Sequence, residues 1–247
     1  MYSIKDKSNL GFYVLHGKRI FDVILAFFSL IFLSPIFLVL SLVGFFAMHG
    51  NPFFLQPRPG RFDLKIGKEK IFNLVKFRTM SNERDSSGYL LPDELRLNSY
   101  GRFLRSTSLD ELPEIWNILK GDMSFVGPRP QLVRDVVFMT DKQRYRHILR
   151  PGLTGLAQVS GRNSIDWEKK LAYDLIYIDK VSFYCDLCII FKTLFKVFKK
   201  EGINQQGRST SEDYGDFLLE NNRIELSFYL QKQKTALDLL NSFNNHQ

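Results

Sequence analysis

The sequence predicts a helix-rich α/β fold lying on a membrane, held there by a re-entrant helix–break–helix and by amphipathic helices at the interface. Three observations predict it. One uncharged apolar run is interrupted by Ser34-Pro35, both flanks of that run are basic, and helical periodicities surround a short extended segment at Ile71 to Met80. Composition sets the frame. The 247 residues suit one domain or two small ones, and 45% hydrophobic with 24% charged residues excludes wholesale disorder. A mean hydropathy of -0.14 with one long apolar run argues against a polytopic membrane protein. The net charge of +8 points to anionic partners: nucleic acid, phospholipid heads or phosphorylated substrates. Two cysteines exclude a disulfide scaffold.

The apolar run covers Val23 to Met48, 26 residues without a charge. As one helix it would reach about 39 Å, more than a hydrocarbon core of about 30 Å. Pro35 lacks an N–H, so a kink or break is expected at the middle, and the Ser34 hydroxyl is placed to satisfy a carbonyl freed there. Lys5, Lys7, Lys18 and Arg19 precede the run, and residues 51–84 carry eight Lys/Arg against three acids. Two basic flanks favour placing both ends on the cytoplasmic side, which a re-entrant hairpin satisfies. A single kinked span is the competing reading. Lys18 and Arg19, with Asp22, are expected at the depth of lipid phosphates.

Beyond the run, Pro52, Pro57, Pro59 and Gly60 are expected to break the chain before the extended segment. Residues 81–98 read as a polar loop, 99–150 as two helical patterns around a Gly/Pro-rich turn, and 151–165 as loop with a short strand. Residues 166–180 read as a helix with Trp167, Leu171, Leu175 and Ile178 on one stripe. In 186–200, Leu187, Ile190, Phe191, Leu194 and Phe198 lie on one side and Lys192, Lys196, Lys199 and Lys200 toward the other. That pattern suits a helix in the headgroup plane, and equally a surface helix packed on a core. After residue 218 one more helix is expected, with Leu226, Tyr229, Leu230, Leu237 and Leu240 as its stripe.

The densest chemistry is TSLDELPEIWNILKGDMSFVGPRP at 107–130. Either Ser108 and Glu111 form a capping box, or Asp110 caps a helix with Pro113 in its first turn. Both readings put Asp110 and Glu111 at a helix N-terminus, whose partial charge favours ionised carboxylates. An ionised Asp can attack phosphorus while its neighbour holds a divalent cation; acids in a first turn are also ordinary capping chemistry. Pro128 and Pro130 fix the backbone around Arg129, a guanidinium suited to phosphate. Arg105, Lys76 and Arg78 add positive charge. A surface salt-bridge network is the bland alternative. Other signatures fail. Gly60 to Gly67-Lys68 has the wrong spacing for a Walker loop, no Asp-x-Asp pair exists, and Cys185-x-x-Cys188 stands alone. His16, His49, His147 and His246 form no cluster in the sequence.

Taken together, several ordered motifs resemble the bacterial sugar transferase family, the monotopic phosphoglycosyl transferases. They are KRIFD at 18–22, the Ser34-Pro35 break, PFFLQPRPG at 52–60, KFRTM at 76–80 and the 107–130 stretch. They continue through RPGLTGLAQVSGRN at 150–163, Trp167 through Asp174 with Tyr177, and EGINQQGRSTSEDYGDF at 201–217. The resemblance implies transfer of a sugar-1-phosphate from a UDP-sugar to undecaprenyl phosphate with release of UMP, the first membrane step of surface glycan assembly. It implies Asp110 as nucleophile forming a covalent phospho-sugar, Glu111 as the residue associated with Mg²⁺, and Arg105, Arg129 and Asp174 in the site. Asp174 is expected either to hold the metal or to orient a neighbour. The implied organisation is an anchor at 1–50, a catalytic domain at 51–217 on the cytoplasmic face of the bacterial inner membrane, and a tail at 218–247. The expected partners are the two substrates and the phospholipid membrane, with no nucleic acid; a homo-oligomer is compatible with the sequence. A non-catalytic scaffold for glycan assembly is the alternative function.

Overall fold

A computed structural model describes residues 11–161, 165–199 and 212–245. Lys5, Lys7, Arg162, Asn163, Lys200 and the segment 201–211 lie outside the described residues, as does the Phe198 side chain. A π-helical turn, Tyr13–Gly17, leads directly into helix α1, Lys18–Ala47. Thirty residues give a rod of about 45 Å. It is long and apolar enough to cross a membrane. Its outer surface is oil-like, with Phe32 83% and Leu38 72% exposed.

Of the expected kink or break at Ser34-Pro35, no break occurs: α1 continues through Pro35. The reason is local. Pro35 cannot donate to the carbonyl four residues back, which is that of Ile31, and Ser34 Oγ donates to that carbonyl at 2.7 Å instead. Both ends of α1 rest on the same body. Asn98 Nδ2 donates to the Ala47 carbonyl at 2.8 Å and Tyr100 Oη to the Leu40 carbonyl at 2.8 Å. Midway, Ala26 is fully buried beside Phe72, Leu74, Ile115, Ile118 and Met123.

Lys18 and Arg19, expected among lipid phosphates, turn inward. Lys18 is buried and paired with Asp186 at 2.5 Å, with Tyr13 and Tyr177 closing the same carboxylate. Arg19 donates to the carbonyls of Ile118 and Leu119 at 2.5 and 2.7 Å. A buried acid and the free carbonyls of a helix end are better partners for these donors than a distant headgroup. Asp22 accepts from Ser124 Oγ and the Phe125 N–H, each at 3.0 Å.

Strands β1 (Phe53–Asp63) and β2 (Lys68–Phe77) form an antiparallel hairpin. Pro57 and Pro59 sit within β1 opposite Asn73 and Ile71, correcting the expectation of a broken segment. The sheet has two strands only, so each strand keeps an unpaired edge where proline is tolerated. The 81–98 loop holds a short helix, α2 (Asp93–Arg96). Next come α3 (Ser99–Thr107), α4 (Glu114–Lys120) and β3 (Ser124–Val126). Two short helices, α5 (Val133–Val136) and α6 (Asp141–Arg144), precede β4 (Gly152–Thr154), which pairs with β3 in parallel. A short helix, α7 (Leu156–Ser160), occupies part of the segment read as loop.

Helix α8 (Trp167–Lys180) bears out the 166–180 reading. Its Trp167 and Leu171 enter one core cluster with Val136 and Tyr214, while Tyr177 and Ile178 enter another with Ile148 and Ile189. Helix α9 (Phe183–Phe198) has three faces rather than two. Asp186 and Ile189 are buried in the body, and Ile190 packs there too. Phe191, Leu194 and Phe195 are exposed apolar groups beside exposed Lys192. The packing reading holds for the side that carries Asp186, Ile189 and Ile190, and the opposite side leaves an exposed apolar surface. The tail forms α10 (Tyr214–Glu220) and α11 (Leu226–Asn244). The expected helix is present, and of its stripe Tyr229 packs on the cluster of Val136 and Tyr214 while Leu226, Leu230 and Leu237 are exposed.

Candidate active site

Asp110 and Glu111 lie in a 3₁₀ turn, Leu109–Glu111, between α3 and α4. Ser108 takes a left-handed conformation, φ 56°, and ends α3 by donating its N–H to the Leu104 and Arg105 carbonyls. Ser108 is therefore a stop for α3, and its side chain makes no capping bond to the acids. Leu109 and Leu112 pack against the core, three residues apart and so on one side of the tight turn. The two acids between them line an open cleft of about 2180 Å³. Lys76, Arg78, Arg105 and Arg129 line the same cleft.

The cations converge on Glu111 first. Lys76 follows Phe72 and Leu74 on the side of β2 that packs on α4. Its Nζ lies 2.9 Å from Glu111 Oε1 and 3.1 Å from Glu114 Oε1. Arg129 Nη2 donates to the same Glu111 oxygen at 2.5 Å. Its loop is set by close backbone contact. The Gly127 N–H donates to the Thr154 carbonyl at 2.9 Å, and a Cβ on Gly127 would sit 2.5 Å from the Arg150 carbonyl oxygen. The loop is also held from behind, where Arg146 Nη2 donates to the Arg129 carbonyl at 2.6 Å. Arg105 Nε donates to Thr79 Oγ1 at 3.1 Å. Arg78 Nη2 donates to the Phe53 carbonyl at 3.3 Å.

Electrostatics separates the two acids. Burial pushes Asp110 up to about 6, and the Glu111 charge adds to this, against Lys76, Arg129 and Arg105. The carboxylate is less readily ionised than a helix N-terminus alone would make it. Burial would raise Glu111 as well, but Arg129 and Lys76 hold it well below the usual carboxylate range. Glu114, 2% exposed, is pushed up to about 7 by burial against the opposing Lys76 charge. Arg129, bound to Glu111, is held above the usual arginine range. The arrangement presents one fixed anion neutralised by two cations, beside a second acid whose protonation is finely balanced.

Asp174 is not joined to this cluster by any hydrogen bond among the described residues. It is largely buried but lines the same cleft, and its Oδ2 accepts from Arg146 Nε and Nη2 at 2.9 and 2.7 Å. It orients Arg146, which in turn holds the Arg129 loop. Ser34, Pro35, Lys18 and Arg19 serve the anchor and its docking, away from the acids. Sequence reasoning missed Glu114, Arg58, Arg146 and Lys170. Glu114, three residues after Glu111, had a helical-spacing signal; Arg146 had none.

The chain was compared with known proteins. The family model described as bacterial sugar transferase matches residues 13–200. An uncharacterized sugar transferase, EpsL, of Bacillus subtilis is 47% identical over 197 residues, covering 80% of this chain and 95% of that protein. A UDP-glucose:undecaprenyl-phosphate glucose-1-phosphate transferase of Klebsiella pneumoniae is 40% identical over 73% of this chain and 40% of its own length. An undecaprenyl-phosphate galactose phosphotransferase of Salmonella typhimurium is 34% identical over 75% of this chain and 41% of its own. With respect to these last two proteins the match spans about two fifths of their length. A matched stretch that takes in α1, the Asp110–Glu111 turn and the Arg129 loop together leads to one conclusion: the chain belongs to the bacterial sugar transferase family.

Proposed function

We propose that this chain transfers a sugar-1-phosphate from a UDP-sugar to undecaprenyl phosphate, releasing UMP, through a covalent intermediate on Asp110. The observation that carries the reading is the position of Asp110, in an open cleft beside Glu111 with Lys76, Arg105 and Arg129 around it. A carboxylate oxygen of Asp110 attacks the sugar-bearing phosphorus. The bond from that phosphorus to the oxygen of the uridylyl phosphate breaks, and UMP leaves with the electron pair. An oxygen of the lipid phosphate then attacks the same phosphorus and Asp110 departs as carboxylate, leaving a polyprenyl diphosphate sugar.

Two anions must approach a carboxylate, and the cations lower that repulsion. Glu111 keeps Arg129 and Lys76 in place, so their donors face the phosphoryl oxygens without prior rearrangement. Magnesium fits this donor set. Asp110 and Glu111 supply hard oxygens on one wall of the cleft, the donor type that a magnesium ion takes. Mg²⁺ bound by Glu111, with substrate phosphates as its other ligands, would supply charge neutralisation. Asp174 lines the same cleft, and Arg146 engages its Oδ2, so on this reading it orients Arg146 or lends its other oxygen to the cation.

The apolar exposure of α1 and α9 supports a place at the bilayer surface; the cytoplasmic face of the bacterial inner membrane goes with the proposed use of a UDP-sugar. A re-entrant anchor requires α1 to bend within the lipid, and Pro35 at its middle, with Ser34 holding the Ile31 carbonyl, is the place the reading assigns to that bend. The reading implies the first membrane step of surface glycan assembly. It is tested with the full chain in lipid nanodiscs and a panel of UDP-sugars. UMP release and a phospho-sugar mass increment on the Asp110 peptide are expected, and Asp110→Asn loses both. Full turnover in that variant refutes the reading.

A further inference from the structure

The cleft holds positive charge that the reacting turn does not use. Arg58, on β1, lines it beside Gln56. Its Nη1 donates to the Pro130 carbonyl at 3.1 Å and its Nη2 to Gln56 Oε1 at 2.6 Å. Its Nε is buried with no hydrogen-bond partner among the described residues. No carboxylate lies within ion-pair distance of it among the described residues, and the charge that most opposes it is that of Arg129. Lys170, on α8, lines the same cleft. Its Nζ stands 5.4 Å from the Trp167 ring centroid, with no carboxylate in ion-pair distance among the described residues. Burial, then Arg129, lowers its proton affinity.

Asp135 faces both cations beyond ion-pair distance, so neither has a direct counter-ion, and two such charges beside Arg129 in a buried wall favour an added anion. The large cleft volume exceeds the roughly 300–1,000 Å³ of a single small-ligand pocket, leaving room beyond the phosphorus at which Asp110 would react. We propose that Arg58 and Lys170, together with Arg129, form a second anion subsite that binds a substrate phosphate group other than the one transferred. This rests on the phosphoglycosyl reading of the cleft. Two sources share that chemistry: the departing phosphate of the nucleotide and the phosphate of the lipid acceptor. Arg58 also ties β1 to the Pro130 carbonyl, so its hydrogen bonds place the subsite beside the Arg129 loop.

The test uses the full chain in nanodiscs and the variants Arg58→Gln, Arg58→Lys and Lys170→Gln. Inorganic pyrophosphate is the binding probe. The two half-reactions are followed separately, adduct formation from UDP-sugar and discharge to the lipid phosphate. Loss of a charge-assisted contact is expected to weaken pyrophosphate binding by about tenfold or more in either Gln variant. The KM of one half-reaction rises by a similar factor while its kcat changes little, and Arg58→Lys recovers part of the loss. A rise confined to UDP-sugar assigns the subsite to the nucleotide, and a rise confined to lipid phosphate assigns it to the acceptor. Unchanged pyrophosphate binding with unchanged KM values overturns the proposal. Should Arg58→Gln fail to fold, Lys170→Gln decides alone, since its side chain holds no hydrogen bond among the described residues. Absence of an Asp110 adduct in the unaltered chain would fail the phosphoglycosyl reading instead, and the pyrophosphate measurement would still judge the subsite.

Discussion

The acid limb of the donor half-reaction gives the sharpest test of the Asp110 environment. The perturbation is pH, between 7 and 5, with UDP-sugar below its KM so that the rate reports the unbound chain. An Asp110 at its ordinary value of 3.8 would be about 94% ionised at pH 5, and the rate would hardly change. Held at about 6, it is about 91% ionised at pH 7 and about 9% at pH 5, so the rate falls about tenfold. The sign follows from burial and the Glu111 charge, which favour the protonated form, and only the carboxylate attacks phosphorus. The assay is initial UMP release without lipid acceptor, with a thermal melt at each pH to confirm that the fold persists. Arg105→Gln provides the control on cause. Removing a charge that favours ionised Asp110 moves the limb to higher pH. A flat profile down to pH 5 in the unaltered chain, with the fold intact, refutes the argument that burial sets this group.

Two further outcomes follow from the anchor. Asp186→Asn leaves Lys18 buried without its counter-charge, and breaking such a pair is expected to cost about 3–5 kcal/mol, read as a lowered melting temperature. Gly11→Cys and Lys68→Cys, each in a chain with Cys185 and Cys188 replaced by Ser, are expected to react with a membrane-impermeant reagent from the same side of sealed vesicles; labelling from opposite sides rules out the re-entrant arrangement.

Legibility in the sequence followed the distance over which each role is made. Asp110, Glu111 and Arg129 stand within twenty-odd residues, and their chemistry could be read because one turn and one proline-flanked loop carry it. Lys76 and Arg105 were found by charge alone. Their partners, Glu114 and Thr79, could not be read because a strand and a helix must first pack. Lys18 was misread for the same reason. Beside an apolar run a lysine looks like a lipid contact, and the acid that claims it lies 168 residues away. The prolines of β1 read as breakers because an isolated hairpin with open edges leaves no trace in local periodicity. Ser34 shows the opposite case. Its hydroxyl and the Ile31 carbonyl are neighbours on one turn, so the bond was legible even though the helix it preserves was expected to break.

The anchor and the acids form one mechanical unit. Arg19 near the start of α1 holds the C-terminal carbonyls of α4, and Asp22 one turn on holds β3. Asn117 of α4 then joins the strand behind it, accepting from the Val75 N–H at 2.9 Å and donating to the Asn73 carbonyl at 2.8 Å. Lys76 is the next residue on that strand, and Glu111 lies just before α4 at the end of its hydrogen bond. Charged and buried contacts of this kind are costly to break, so α1, with its exposed apolar surface, cannot shift along its axis without moving α4 and the turn that carries Asp110. On the proposed reading a soluble nucleotide and a lipid-bound phosphate meet at one phosphorus, and a fixed height of that atom above the membrane favours the meeting. The contacts from Arg19 through Asn117 to Lys76 are short enough to transmit that height from the anchor to the site.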